Sequence, residues 1–450
     1  MRVRRRSAQL TSFILVALTA GAGVTATPAA ALDARTFYVD CANGSDSANG
    51  ASQTAAWKTV ARANTAALAP GDSLLFKRGC KWTGTTLDAA WDGTADAPIT
   101  VATYGDDPTR PQLADAGIRV TGTYEVIDGF WVTFKPVATD PCGQPLGQYY
   151  ALVITQGGSH AVIKRNLLTH ATAGIHISAT AGGFNRIVRN TLADNNVMQA
   201  PFDGSGDLGA WGILVRGSDN EIANNTFIGN IAVCQKGTYL SSNSVEIYEG
   251  DRNSIHHNRS FNDRVFSELG SSPTDKAQDN SYAFNLHISP TPGARFITTR
   301  GAGDTNYGPV WRTTADRNTI YYTGAGSQGL VCSKGCNADV LTARYNIIDV
   351  IEKTIYFDNS MGQTMNLLWS SGGPVKIEDG AFNMRSLASG TYSQFIVADP
   401  AFVNTVNNNL RLRAGSPAID MGGTTAFTTD LGRQTASNGV PDIGAFEFIG

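Results

Sequence analysis

The chain has little charge, little histidine and almost no long apolar sequence. Of its 450 residues, 16% are charged and 6 are histidine. Beyond the first 31 residues no segment is long and apolar enough to span a bilayer, so no membrane association is expected once those residues are gone. Positive charge is scarce as well. The net charge of -3 becomes -7 when Arg2, Arg4, Arg5 and Arg6 are removed with a leader that holds no Lys, Asp or Glu. A chain this negative is a poor partner for nucleic acid. Cys332 and Cys336 have the spacing of half a zinc site, but no matching His/Cys pair follows. Arg300-Gly-Ala-Gly-Asp304 is too short for a phosphate loop, although its glycines suggest a close backbone approach, to a ligand among other things.

What is present begins with a leader. Four arginines precede an apolar run from Thr11 to Val24, and Ala29-Ala30-Ala31 offers a small-residue cleavage site. Residues 1–31 are read as a signal peptide, and the mature protein as soluble, secreted and extracellular. Its 6 cysteines are even in number and suit an oxidising compartment. The favoured pairs are Cys41 with Cys80, Cys142 with Cys234, and Cys332 with Cys336. Sequence alone leaves other connectivities open.

Eight asparagines recur through the middle of the chain, each opening a short strand-like run. They are Asn166, Asn190, Asn225, Asn258, Asn285, Asn318, Asn346 and Asn366, spaced by 24, 35, 33, 27, 33, 28 and 20 residues. A fixed phrase with variable padding means stacked units with loops of unequal length. The phrase has no helical period, so the units are single-strand coils of a parallel β-solenoid. Asparagine suits the sharp turn of each coil, where a left-handed residue is often needed. Its amide also hydrogen-bonds from rung to rung. These asparagines are therefore read as structural.

Residues 32–75 are expected to cap the solenoid, residues 76–394 to form it, and residues 395–450 to close it within the same domain. Ser52 to Leu68 has helical spacing, with Asn64 interrupting the apolar face. Tyr38-Val-Asp, Gly44-Ser-Asp-Ser-Ala-Asn-Gly50, Trp57-Lys-Thr and Pro70-Gly-Asp-Ser-Leu-Leu-Phe76 resemble the N-terminal cap of bacterial right-handed parallel β-helix proteins. Ser416-Pro-Ala-Ile-Asp420 and Pro441-Asp-Ile-Gly-Ala-Phe446 resemble their ending. The chain is similar, over nearly all of its mature length, to the pectate-lyase-like superfamily. That resemblance implies an all-β, right-handed parallel β-helix with a short N-terminal capping helix. It implies carbohydrate chemistry, but not which reaction.

A second strand precedes each asparagine phrase. Aligning Gly174–Ser178, Gly212–Arg216, Ser244–Tyr248, Phe266–Gly270 and Phe296–Arg300 puts His176, Leu214, Glu246, Glu268 and Thr298 in one outward column. Ser178, Arg216, Tyr248 and Arg300 form the next. Glu246 and Glu268 then sit on adjacent strands about 4.8 Å apart. Like charges at that distance resist joint ionisation. Such a pair serves as acid and base, or acid and nucleophile, at a glycosidic bond. Asp203 and Asp207 lie in an insertion that can overhang the same face and supply an alternative partner. Arg216 and Arg300 are placed to flank the pair. Trp211, Tyr248, Tyr307 and Trp311 offer stacking surface for sugar rings. His176 is a candidate proton carrier, whereas His256 and His257 read as structural. A Glu ladder compensated by Arg216 and Arg300 is the non-functional explanation of the same pattern. Glu249 and Asp251 beside Gly250 are candidate Ca²⁺ ligands, although a turn rich in Asp and Gly gives the same pattern. No other cofactor or metal is implied, and a monomer is expected.

Three functions fit. The first is a secreted glycoside hydrolase acting on polysaccharide. The second is a polysaccharide lyase using Arg216, Arg300, Lys236 and Lys276 to stabilise a uronate anion. Against it stand the lack of an Asp-rich calcium cluster and of a Lys/Arg motif matching the uronate lyases. The third is a non-catalytic glycan-binding or adhesion scaffold.

Overall fold

Strands of only two to six residues alternate with tight turns, and each coil places one strand in each of three long sheets. The computed structural model describes residues 33–136, 147–198, 209–233, 240–270, 277–379 and 383–450. In one coil Val162–Lys164 joins the first sheet, Leu167–Thr169 the second and Ala173–Ile177 the third. Each strand pairs in parallel with its equivalents one coil before and one coil after. The result is the expected all-β parallel β-helix. Alternation drives it, because every second side chain turns inward. Ile127, Ile163, Ile187, Ile222 and Ile255 stack in register along the first sheet, all with 0% exposure.

The asparagine ladder is present, with one correction. The left-handed residue of each turn is the one before the asparagine. Arg165, Arg189, Asn224, His257, Phe284, Arg317, Tyr345 and Met365 all have φ between 47° and 59°. The asparagine itself is buried and bonds to its neighbours. Asn258 accepts from the Asn225 amide at 2.9 Å, and its Nδ2 donates to the Ile222 carbonyl at 2.8 Å and to Asn285 Oδ1 at 3.0 Å. Buried amides that satisfy one another in this way pin the register of every coil. Two further ladders run beside it. One joins Asn185, Asn220, Asn253 and Asn280. The other joins Asn195, Asn230 and Asp263.

The expected N-terminal helix is a single turn. Thr59 caps Val60–Ala63, and a 3₁₀ turn covers Gln53–Ala55. Asn64 ends the helix because its side chain turns to the sheet, donating to the Thr86 carbonyl at 2.8 Å and accepting from the Asp88 amide at 3.1 Å. Cys41 and Cys80 are bonded, as are Cys332 and Cys336. Cys142 and Cys234 lie outside the described residues, as do residues 1–32.

The C-terminal segment runs back along the solenoid as well as ending it. After Phe395–Val397 joins the second sheet, the chain lies on that sheet's outer face. Phe402, Leu410, Ile443 and Phe446 pack there with Leu286, Ile347 and Leu367. His257 Nε2 bonds to the Thr429 carbonyl and Arg259 Nη2 to the Leu431 carbonyl, each at 2.9 Å. Covering the second sheet leaves the outward column of the third uncovered by this strap.

Candidate active site on the third sheet

The column expected from strand alternation is observed residue for residue. His176 pairs with Leu214, Leu214 with Glu246, Glu246 with Glu268, and Glu268 with Thr298. Glu246 is 4% exposed, whereas the Glu268 side chain is 30% exposed. The two carboxylates project from adjacent strands, so about 4.8 Å separates their backbones.

Arg300 is the cation that meets Glu268. Its guanidinium is ion-paired to Glu268 and donates to the Leu269 carbonyl at 2.9 Å. Asp304 Oδ2 lies 3.4 Å from its Nε, and the Tyr307 ring lies 5.3 Å from its central carbon. Asp304 also accepts from the Asn306 and Tyr307 amides at 2.9 and 2.8 Å, which closes the loop beside the pair. A Cβ at Gly270 would collide with the Tyr307 carbonyl, so glycine lets that loop cross the end of the Glu268 strand. The glycines of Arg300–Asp304 contact protein rather than marking a ligand. Gly301 and Gly303 donate to the Ser333 and Lys334 carbonyls, both at 2.8 Å.

Several expected neighbours sit elsewhere. Arg216 is engaged by Glu249, its Nε lying 2.5 Å from Oε1. That bond, and the 2.9 Å bond from the Gln278 amide to Asp251 Oδ1, give both proposed Ca²⁺ ligands protein partners. Among the described residues, the one group with metal-ligand geometry is Asp40 with Cys41 and Cys80, whose sulfurs are joined in a disulfide. Trp211 is 1% exposed and packs edge-on to Tyr248 at 6.0 Å, so it lies under the surface instead of forming a sugar platform. Trp311 enters the first sheet, where it bridges to Gln278 and packs on the core. Tyr307 remains exposed at 46%. His176 lies against the Tyr150 ring at 4.5 Å, and burial and then Arg216 push its pKa down to about 4. Leu214 stands between it and Glu246 in the column, which sets His176 two strands from the pair. Asp203, Asp207, Lys236 and Lys276 lie outside the described residues.

A polar network inside the coil, behind the pair, was not anticipated. Ser244 Oγ lies 2.8 Å from both Ser260 Oγ and Asp263 Oδ2. Tyr322 Oη meets His287 Nδ1 at 2.5 Å, and His287 Nε2 meets the Asp263 carbonyl at 3.0 Å. Tyr282 Oη bonds to Ser267 Oγ at 2.7 Å, on the strand that carries Glu268. Full burial pushes Asp263 up to about 7 and His287 down to about 3. The available signal was Asp263 five residues after Asn258, the interval that also separates Asn195 from Asn190 and Asn230 from Asn225.

No family model matches the chain. Over 90 residues, 19% of this chain, it is 41% identical to a lacto-N-biosidase of Bifidobacterium longum subsp. longum, and the match spans 6% of that protein's length. Among solved structures it is similar to pectate lyase Pel9A, with a TM-score of 0.51 and 17% identity over 92% of this chain and 96% of that one. A lacto-N-biosidase from Eubacterium ramulus aligns with a TM-score of 0.46 and 11% identity over 81% of this chain and 67% of that one. The likeness to pectate lyase Pel9A agrees with the fold seen in the strand register, a parallel β-helix.

Proposed function

We propose that the chain is a secreted glycoside hydrolase whose working pair is Glu246 and Glu268. The observation that carries this reading is the register pairing of two carboxylates on one outward column, with Arg300 ion-paired to Glu268. Glu246, the more deeply buried of the two at 4% exposure, is assigned as the acid, and Glu268, ion-paired to Arg300, as the nucleophile or base. Adjacent strands suit the ~5–5.5 Å separation of a retaining pair. Tyr307, at the rim, offers a ring face to the substrate. The segment shared with a lacto-N-biosidase supports hydrolysis over elimination.

The second reading is a lyase. The observation in its favour is Arg300 itself, a cation on the outward face able to meet a uronate carboxylate. It is weakened because Arg300 is already engaged by Glu268 and Asp304. A screen of the purified protein on neutral and acidic polysaccharides separates the two. Hydrolysis releases reducing ends alone, whereas elimination also creates an ultraviolet-absorbing unsaturated product. No cleavage across the panel would favour a non-catalytic glycan-binding scaffold.

A further inference from the structure

A second cleft lies on another face of the molecule, between the second sheet and the C-terminal strap. Its floor is an outward column of that sheet. Ile288, Tyr321, Asp349 and Trp369 are register partners on successive strands. The apolar column upstream thus gives way to an acid held between two rings. The other wall is Phe402 to Thr405, with Asp399 and Arg413 at the mouth. Together they enclose about 330 Å³, the size of the smallest ligand pockets.

Asp349 is the unusual member. It is 3% exposed, yet it lines the cleft. Its Oδ1 accepts from the Ser371 amide at 3.2 Å, and Oδ2 takes no hydrogen bond among the described residues. Burial, reinforced by the nearby Asp399 carboxylate, pushes its pKa up to about 7. With Oδ1 held by the Ser371 amide, the carboxyl keeps an acceptor oxygen for a polar group in the cleft.

We propose that this cleft binds one neutral pyranose unit of a glycan, at a site separate from the Glu246–Glu268 face. The Trp369 and Tyr321 rings pack against the C–H face of the sugar. Asp349 and Asp399 accept from its hydroxyl groups, and Arg413 donates to its oxygens. Asp399 offsets Arg413, and the part of Asp349 that is ionised at neutral pH leaves the cleft weakly acidic, so uronates and sulfated sugars are disfavoured. The site stands on its own residues and does not depend on hydrolysis at the third sheet.

The test is a titration of the full chain with methyl glucoside, methyl galactoside and methyl mannoside, with galacturonate as the charged control. The readout is the indole ¹⁵N–¹H signal of Trp369, assigned by its absence in Trp369→Phe. At least one neutral glycoside should shift that signal saturably at or below ~50 mM, and galacturonate should bind about tenfold more weakly. Asp349→Asn should weaken the neutral glycoside about tenfold, while Glu246→Gln leaves it unchanged. No saturable shift from any neutral glycoside overturns the proposal. So does tighter binding of galacturonate, or undiminished binding by a folded Asp349→Asn variant.

Discussion

Replacing Asp263 with Asn should stabilise the protein, and only above mildly acidic pH. Asp263 ends a ladder whose earlier members are Asn195 and Asn230. It accepts from the Asn230 backbone amide at 2.7 Å, from the Asn230 side chain at 3.1 Å, and it faces Ser244 Oγ at 2.8 Å. Asparagine keeps the acceptor oxygen and can donate to Ser244. In the folded protein the Asp263 carboxyl titrates near 7 rather than at its ordinary 3.8, because burial disfavours the charge. A raised folded value means that the folded state holds the proton longer. The favourable contribution of the neutral acid is fully present below about pH 4 and is lost as pH rises through about 7. Three pH units at ~1.4 kcal/mol each set an upper limit of about 4 kcal/mol, and relaxation around the charge reduces it. Denaturant midpoints of wild type and Asp263→Asn, measured from pH 4 to pH 8, check this. The two should nearly coincide at pH 4, and the variant should gain steadily above pH 5. A variant destabilised by the same amount at every pH would refute the reasoning.

Other perturbations probe other levels of the structure. Asn258→Ala removes an amide bonded on both sides and leaves buried donors unmatched, so a loss of about 3–5 kcal/mol or insoluble expression is expected, read by thermal midpoint. Arg300→Ala leaves Glu268 without its ion pair and should cut turnover by about 100-fold, with Arg300→Lys recovering part of it, measured as initial rate against pH. Reducing the Cys41–Cys80 bond opens a 39-residue link at the first coils and should cost about 3–4 kcal/mol, read as a lower midpoint in reductant.

The architecture was legible because the asparagine phrase is dictated by hydrogen bonding in every coil. Strand alternation likewise located the Glu246–Glu268 register, since a one-residue slip would bury charge and expose isoleucine. What was misread depended on contacts distant in sequence. Asparagine's tolerance of left-handed backbone suggested that it occupies the turn, yet Arg165 or Phe284 does so while the neighbouring asparagine stacks. Helical spacing over residues 52–68 did not reveal that Asn64 is needed by the sheet at Thr86 and Asp88. The ion pair that Arg216 makes with Glu249, three residues beyond Glu246, was likewise not evident from strand position alone. Nothing local in Leu410 or Phe446 indicates that the tail folds back over Leu286 and Ile347.

The most direct test of the central claim compares wild type, Glu246→Gln and Glu268→Gln on a polysaccharide that the wild type cleaves. Reducing ends and ultraviolet absorbance are followed together, and thermal midpoints confirm folding. The account predicts reducing ends without absorbance, and a fall of about 10²–10⁴ in turnover for each variant. Full turnover in both folded variants, or an absorbing unsaturated product from the wild type, would contradict it.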